Sequence, residues 1–297
     1  MTYLVTGATG FIGTRLVTRL LARGDAVIYL ARKRNERLPS QAAFHPWDTS
    51  KRPDLDALPR IDAIFHLAGE PIAQRWSREV KKRIRDSRVE GTKNLVAALR
   101  NVRHPPAVLV SASAVGYYGE SGDRILTESA PAGEDFLAVI CKEWEAEAER
   151  AREFGLRVVP IRIATVIGKG GGALEAMLPA FRLGAGAKFG DGRQWMSWID
   201  VDDLARLFLF AADTASLQGP LNGSSPLPVT NAEFTRTLGK VLRRPAILAV
   251  PKFALRLLLG EMSEFLFTSL RVVPQAAEQA GFQFERPEIG TALRAAV

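Results

Sequence analysis

Three glycines near the start of the chain, Gly7, Gly10 and Gly13, stand three residues apart in the stretch TGATGFIG. They follow a short apolar run and open a segment with helical periodicity. In such a loop the first glycine permits a tight turn, the second lets a pyrophosphate approach the backbone, and the third lets the helix pack closely on the strand. Because a helix N-terminus also favours anions, the stretch predicts a dinucleotide site, with a ligand-free glycine turn as the alternative. The loop residues expected to contact the cofactor are Gly7, Thr9, Gly10, Phe11, Ile12 and Gly13.

The second apolar run, AVIYLA, ends where an NAD-preferring site would carry an acid for the adenosine ribose. The residues there are Ala31, Arg32, Lys33 and Arg34, with no carboxylate among them. A guanidinium holds a 2′-phosphate through charge-assisted bonds, whereas a carboxylate would repel it. The sequence therefore predicts NADP(H) as the cofactor, with Ala31 and above all Arg32 in contact with it. A solvated basic loop is the alternative.

The only cysteine, Cys141, stands beside Lys142 in FLAVICKEWE, which has the pattern of an amphipathic helix. A thiol or an amine does chemistry only where a cofactor or a second group is placed against it. Two interpretations stay open: a catalytic pair, or a solvated lysine beside a cysteine that packs in the core, as free cysteines usually do.

The remaining candidate acids, bases and metal ligands are few and scattered. His45, His66 and His104 are far apart and lack the spacing of metal ligands, so no metal site is predicted. Glu70 and Glu120 stay open as general acids or bases.

Short apolar runs alternate with longer helical patterns along the first 168 residues. The runs are YLVTG, AVIYLA, AIFHLAG, AVLVSAS and VVPIRIATVIG. Parallel strands that crossover helices bury on both faces are continuously apolar, as these runs are. The sequence therefore predicts an α/β fold with a doubly wound parallel sheet, a Rossmann domain that binds NADP over residues 1–168.

Beyond residue 168 the alternation weakens, and glycine-rich turns such as GKGGG and GAGAKFGDGRQ become frequent. This change predicts a smaller mixed region over residues 169–297, which packs over the carboxyl edge of the sheet and helps to bind the substrate. Strands near 197–201 are allowed to rejoin the main domain, so the boundary stays open.

The composition excludes several classes of protein. With 297 residues, of which 47% are hydrophobic and 24% charged, the chain is neither disordered nor fibrous. A single cysteine excludes a disulfide framework and, with no leader visible before YLVTG, predicts a cytoplasmic location. No apolar run approaches the roughly 20 residues that cross a bilayer, so we expect no membrane span.

The net charge of +8 raises the question of a polyanionic partner. Residues 75–93 carry eight of the cations, but acids interrupt them and no aromatic residues alternate with them. We therefore expect a solvated helix face and no nucleic-acid partner, unless some of these arginines hold the phosphates of a small ligand. The expected partner is a small-molecule substrate, and a homodimer stays open.

Several motifs together resemble the extended short-chain dehydrogenase/reductases, the group of the sugar-nucleotide epimerases. They are TGATGFIG, HLAG, SRVEGTKNLVAAL and SASAVGYYG, and the similarity spans nearly the whole chain. The further motifs AGEPIA, GYYGESG, GRQWMSWIDVDDLA and RRPAILAVP are similar to an atypical subgroup, the epimerase-family proteins with a C-terminal domain of unknown function. Fold alone does not settle the function of such a protein.

The resemblance implies roles for residues beyond the glycine loop. Ser113 would polarise a substrate carbonyl or hydroxyl, the alternative being a buried hydroxyl that caps the strand end. Arg88 would reach the cofactor phosphates, and Ile163 would flank the nicotinamide. The residues expected along the cofactor on this basis are Leu67, Ala68, Gly69, Arg88 and Ile163.

The resembling families transfer hydride with a Tyr-x-x-x-Lys motif on the helix that here reads FLAVICKEWE, and this stretch has no tyrosine. If Lys142 takes the lysine position, Ala138 takes the tyrosine position. If Cys141 takes it, the tyrosine position is Leu137. We favour the second register because it places Glu145 four residues after Cys141, where the family often carries a glutamate.

Tyr118, in GYYGE, is the candidate for replacing the missing acid, provided that its pKa is depressed; a packing role is the alternative. Our first hypothesis is an NADP(H)-dependent, epimerase-like oxidoreductase that moves a hydride between the nicotinamide and a small polar substrate. The second is a regulatory protein that binds NADPH and reports the redox state without catalysis. The third is a sugar-nucleotide epimerase, which would need a proton carrier, and this chain lacks the usual one.

Overall fold

The computed structural model describes residues 1–297 and contains fifteen strands and ten α-helices. The strands are β1 (Thr2–Thr6), β2 (Ala26–Ala31), β3 (Ala43–Pro46), β4 (Ala63–His66), β5 (Val108–Ala114), β6 (Ile125–Leu126), β7 (Arg157–Ile163), β8 (Thr165–Ile167), β9 (Ala187–Phe189), β10 (Trp195–Met196), β11 (Trp198–Asp200), β12 (Leu221–Gly223), β13 (Val229–Thr230), β14 (Leu248–Val250) and β15 (Arg271–Val272). The helices are α1 (Phe11–Ala22), α2 (Arg78–Ala98), α3 (Phe136–Glu149), α4 (Gly172–Arg182), α5 (Val201–Asp213), α6 (Asn231–Leu242), α7 (Lys252–Leu259), α8 (Met262–Phe267), α9 (Gln275–Gln279) and α10 (Ile289–Ala296).

Seven parallel strands form the central sheet in the order β12-β7-β5-β4-β1-β2-β3. The chain runs outward from β1 to β3 and then crosses back to β4, so the strand order reverses between β1 and β4. In open α/β sheets this reversal leaves a crevice at the carboxyl ends of the strands, where ligands bind. The doubly wound Rossmann fold predicted from the sequence is confirmed.

Burial on both faces explains why the strands are continuously apolar. Tyr3 and Val5 of β1 belong to the same core cluster as Phe208 of α5. Leu4, between them, belongs to a second cluster on the opposite face, together with Leu95 of α2. Because each such side chain contributes about 1.5 to 3 kcal/mol when fully buried, both faces fix the register of the sheet.

The C-terminal region is mixed, as predicted, but the chain returns to the central sheet in an unexpected place. The strand expected near 197–201 exists as β11, and it pairs with β8 in a separate two-stranded sheet. Helix α5 then packs against α1, and β12 pairs with β7 at the edge of the central sheet. The central sheet thus takes its last strand from beyond residue 168.

A separate core cluster supports the C-terminal region over the carboxyl edge of the sheet. It joins Leu174 of α4, Trp198 of β11, Phe234 of α6 and Leu293 of α10, all of them buried. None of the helices combines the length and the apolar character that a bilayer-crossing segment needs.

Candidate functional site

The loop between β1 and α1 has the geometry expected of a phosphate site. Gly7 has φ +68°, and a Cβ on it would lie 2.5 Å from the carbonyl carbon of Leu67. A Cβ on Gly13 would lie 2.2 Å from the carbonyl oxygen of Gly7, whereas one on Gly10 would meet only that oxygen, at 3.3 Å. Gly10 is also the N-cap of α1, and no side chain caps this helix. The N–H groups of its first turn are therefore available to an anion.

A buried hydrogen-bond network holds the HLAG backbone beside this loop. Thr6 Oγ1 accepts hydrogen bonds from the backbone N–H groups of Leu67 and Ala68, each at 3.1 Å. Because both of its lone pairs are used, the hydroxyl donates its proton to Nδ1 of His66, at 2.7 Å. The other ring nitrogen, Nε2, then carries the proton and donates to Thr92 Oγ1 at 2.8 Å. A neutral His66 thus fixes the end of β4.

We expect the free energy of unfolding to fall as the pH is lowered from about 6.5 to about 4, because of His66. Burial lowers the pKa of His66 from 6.5 to about 4, so within this window the unfolded chain binds a proton that the folded chain excludes. The loss should reach about 3 kcal/mol near the lower end and then level off.

Urea denaturation at a series of pH values measures this loss, and the variant His66→Gln is its control. Glutamine has an acceptor and a donor but no proton to gain, so titration of the carboxylates affects both proteins alike. We expect the wild type to lose more stability than the variant between pH 6.5 and 4. Parallel pH profiles for the two proteins would contradict the assignment.

The loop after β2 forms an open, basic cleft of about 780 Å³. Its shape is held partly by Tyr29, whose hydroxyl accepts a hydrogen bond from the Asn35 backbone N–H at 3.2 Å. The cleft brings three predicted cofactor residues, Arg32 among them, together with three further cations and one acid. Its lining residues are Thr9, Ala31, Arg32, Lys33, Arg34, Asn35, Glu36 and Arg37.

A cavity of about 540 Å³ opens along the carboxyl ends of the central strands, and 22 of its 35 lining residues are hydrophobic. The structure places most of the predicted site on this cavity. The predicted residues that line it are Gly7, Gly10, Phe11, Ile12, Gly13, Leu67, Arg88, Ser113 and Ile163. Ala68 packs beside the core, and Gly69 lies outside the lining against the Arg88 guanidinium.

Arg88 is the only charged residue that lines the cavity. Its Nη1 donates to the carbonyl oxygens of Glu70 and Ile84 at 2.9 and 3.1 Å, and its guanidinium lies 5.3 Å from the ring centre of Trp144. No carboxylate of the chain forms an ion pair with it, and burial lowers its pKa. An anionic ligand would therefore complete its environment.

The predicted substrate residue Ser113 is bonded to a buried ion pair. Its hydroxyl donates to Glu145 Oε1 at 2.6 Å. Arg162 grips the same carboxylate with Nε and Nη2, both at 2.9 Å, and its side chain is only 4% exposed. The proton of Ser113 is thus directed to a fixed anion, which leaves the lone pairs of its oxygen for a ligand in the cavity.

Tyr118 lies in the same network and does not line the cavity. Its hydroxyl donates to Asn222 Oδ1 at 2.6 Å and accepts from Arg162 Nη1 at 3.0 Å. Burial raises the pKa of Tyr118 to about 12, although the Arg162 charge opposes this shift. The depressed pKa that an acid at this position requires is therefore absent, and the geometry matches the packing alternative.

Helix α3 presents the register that we favoured from the sequence. Leu137 and Cys141 line the cavity, whereas Ala138 is buried outside the lining and Lys142 is exposed. Burial raises the pKa of Cys141 to about 12, and the Glu145 charge adds to the shift. Because the thiolate is the reactive form, this cysteine behaves as a small apolar residue at neutral pH.

The other candidate acids and the basic segment have contacts outside the cavity. Glu70 faces Arg83 at 3.6 Å, and Glu120 accepts the backbone N–H of Ser269 at 2.8 Å. No group of three histidine, cysteine or acidic side chains is placed to hold a metal ion. The cations of the basic segment that pair with carboxylates are Lys81, Lys82, Arg83, Arg85 and Lys93.

Sequence reasoning missed the ion pair that holds Ser113. A charged residue within an apolar strand, such as Arg162 in VVPIRIATVIG, is a usable signal, because a buried charge needs a partner. That signal does not identify the partner: Glu145 lies 17 residues away on a helix. His66, considered only as a metal ligand, instead orders the strand end that would face the cofactor.

The chain is similar to a known family over most of its length. The sequence model of the NAD dependent epimerase/dehydratase family matches residues 3–221, and a domain of unknown function, DUF1731, matches residues 250–296. The chain is 43% identical over 300 residues to the Arabidopsis thaliana "Epimerase family protein SDR39U1 homolog, chloroplastic", covering 99% of this chain and 86% of that protein. It is 41% identical over 292 residues to the Mycobacterium leprae "Epimerase family protein ML0860", covering 97% and 93%.

A solved structure extends the agreement to three dimensions. The crystal structure of human epimerase family protein SDR39U1 (isoform 2) with NADPH superposes with a TM-score of 0.89 at 35% identity, covering 99% of this chain and 98% of the human one. Since the family match spans both the glycine loop and the seven-stranded sheet, and the relatives align over nearly the whole chain, this protein belongs to the NAD dependent epimerase/dehydratase family, with a DUF1731 domain at its C-terminus.

Proposed function

We propose that the protein binds NADP(H) along the carboxyl edge of its central sheet and acts as an oxidoreductase on a small molecule held in the 540 Å³ cavity. The observation that carries the proposal is the succession of three features along one edge: the uncapped N-terminus of α1, the basic cleft after β2 and the cavity beside Ser113. The human relative crystallised with NADPH supports the choice of cofactor.

The residues present fit this cofactor. The space over Gly10 and the free N–H groups of α1 suit a pyrophosphate, and Arg32 suits the 2′-phosphate. Leu67 and Ile163, both on the cavity wall, would flank the nicotinamide. When bound, the nicotinamide supplies or accepts a hydride.

The chain's own residues would bind and orient the substrate. Ser113 would hold its oxygen, and the ion pair of Glu145 with Arg162 would keep Ser113 in place. Residues 1–168, completed by α5 and β12, would carry the cofactor, and residues 169–297 would supply the remaining substrate wall. A cytoplasmic location and a homodimer stay predictions; the name of the Arabidopsis relative assigns that protein to the chloroplast.

Arg32→Ala should weaken NADPH binding by roughly tenfold or more and leave NADH binding nearly unchanged. The reason is the loss of a charge-assisted contact to the 2′-phosphate, worth about 1.5 to 3 kcal/mol. Fluorescence titration with both cofactors measures the change. Arg103→Ala removes an exposed arginine outside the cleft and controls for net charge. Equal affinity of the wild type for NADH and NADPH would contradict the proposed preference for NADP(H).

A second function, NADPH binding without turnover, has one specific observation in its favour. The two α3 positions that would carry the tyrosine and the lysine are Leu137 and Cys141, and neither transfers a proton at neutral pH. A panel of aldehydes, ketones and alcohols, followed through the absorbance of the reduced nicotinamide, separates the two functions. Tight NADPH binding with no turnover on any compound would favour a regulatory protein.

A further inference from the structure

The C-terminal wall of the cavity is apolar and aromatic. It is built by β9, β10 and the segment from α8 to β15, so none of it comes from the elements proposed to hold the cofactor. Its apolar lining residues are Phe189, Trp195, Met196, Phe265, Leu266 and Leu270.

Most polar side chains on this wall make hydrogen bonds to other groups of the chain. Gln194 Nε2 donates to the carbonyl oxygens of Phe189 and Leu266, both at 3.2 Å. Ser197 Oγ donates to the Leu270 carbonyl oxygen at 2.7 Å and accepts the Val272 N–H at 2.8 Å. These bonds brace neighbouring loops and occupy the Gln194 amide nitrogen and the Ser197 hydroxyl, whereas Gln194 Oε1 is left as an acceptor.

Two further polar side chains of the lining also make hydrogen bonds within the chain. Asn231 Oδ1 accepts the Phe189 N–H at 2.7 Å, and Thr268 Oγ1 donates to the Glu264 carbonyl oxygen at 3.2 Å. The Thr165 hydroxyl makes no hydrogen bond within the chain. The polar atoms left for a ligand on this lining are therefore few: the hydroxyls of Ser113 and Thr165, Gln194 Oε1 and Asn231 Nδ2.

Charge is confined to one side of the cavity. Arg88 is the only charged lining residue, and its guanidinium lies against Gly69, at the end of the strand proposed to face the cofactor. The diphosphate of a sugar nucleotide would therefore have no cation among the residues of the C-terminal wall. Because an unpaired charge is costly to bury, this cavity disfavours a sugar nucleotide as substrate.

The hydrogen bond of Ser113 determines whether the ligand atom beside it donates or accepts a hydrogen bond. Its proton points to Glu145, which Arg162 holds with two bonds, so turning the hydroxyl away would leave a buried carboxylate oxygen without one of its partners. The ligand atom at Ser113 is then best a hydrogen-bond donor, such as an alcohol hydroxyl.

We propose, building on the proposed cofactor binding, that the cavity accepts an apolar, ring-sized alcohol whose hydroxyl donates to Ser113, and that it rejects nucleotide sugars. The aromatic wall packs against the ring, and the cofactor closes the opposite side. This substrate class departs from the small polar molecule expected from the sequence, because the apolar wall comes from residues far apart in the chain.

The test is a set of binding titrations with three probes: naphthylethanol, ethylnaphthalene and UDP-glucose, each against the NADPH-saturated and the free protein. Trp144 and Trp195 line the cavity, so quenching of tryptophan fluorescence reports occupancy. We expect naphthylethanol to bind roughly three- to tenfold more tightly than ethylnaphthalene, which lacks the hydroxyl, and UDP-glucose not to bind.

Three variants make the test specific to the cavity. Ser113→Ala should abolish the preference for the alcohol over the hydrocarbon while leaving NADPH affinity unchanged. Phe265→Ala should weaken binding of both ring probes by roughly tenfold. Phe253→Ala, on the exposed face of α7, is the matched control and should change neither.

The results distinguish a failure of the proposed substrate class from a failure of the proposed NADPH binding, on which it rests. Tighter binding of UDP-glucose than of naphthylethanol, absence of ring-probe binding, or an unchanged preference in Ser113→Ala would overturn the substrate class while NADPH binding stands. A protein that fails to bind NADPH would contradict both.

Discussion

Replacing Arg162 with methionine should lower the free energy of unfolding by about 3 to 5 kcal/mol, because the change leaves the Glu145 carboxylate buried without its partner. Two bonds of 2.9 Å join the groups, whose side chains are 4% and 12% exposed. The guanidinium also donates to the Tyr118 hydroxyl and to the Glu128 carbonyl oxygen, at 3.0 and 3.1 Å. Four acceptors therefore lose a donor at once.

Urea denaturation of three variants isolates this effect. The double variant Arg162→Met, Glu145→Met should be more stable than Arg162→Met alone, since apolar replacement of a whole buried pair is often nearly neutral. Arg150→Met, which breaks the exposed pair with Glu147, should change stability by less than about 1 kcal/mol. If Arg162→Met lowers the free energy of unfolding no more than Arg150→Met does, the buried pair contributes no more to stability than an exposed one.

The parallel register explains why this network could not be predicted from the sequence. Ser113 on β5 and Asn222 on β12 both stand opposite Arg162 on β7. These neighbours exist only once the three strands lie side by side, and β12 has only three residues, in a stretch rich in glycine and proline. Such a segment carries too little periodicity to be recognised as a strand of the central sheet.

The features that the sequence did predict are those whose constraints are local. The need for glycine at position 13 follows from contacts with Gly7 and Ala8, a few residues earlier in the same loop. The basic cleft likewise follows from consecutive residues at and after the end of β2, Arg32 among them. The cavity wall is different, because it combines β9, β10 and α8. These elements are separated along the chain, so the sequence does not show that they line one surface.

Substitution of Gly13 and substitution of Gly10 should affect different properties, the first stability and the second cofactor binding. Gly13→Ala should lower the free energy of unfolding by about 3 kcal/mol or more. Its Cβ would lie 2.2 Å from the Gly7 carbonyl oxygen and 2.7 Å from the Ala8 Cα, and these backbone atoms cannot move without shifting α1 away from β1. Urea denaturation measures the loss, and a variant as stable as the wild type would contradict the close packing of helix and strand.

Gly10→Ala should instead leave stability nearly unchanged and weaken NADPH binding by roughly tenfold or more. The backbone at Gly10 has φ −82°, which alanine adopts without strain, and the new Cβ would meet only the Gly7 carbonyl oxygen, at 3.3 Å. The methyl group would stand where the pyrophosphate has to approach the N-terminus of α1, so it obstructs the ligand and not the fold. Titration with NADPH beside a urea curve distinguishes the two effects. Wild-type affinity in Gly10→Ala would mean that the pyrophosphate does not cross this loop, whereas loss of stability equal to that of Gly13→Ala would mean that Gly10 serves packing alone.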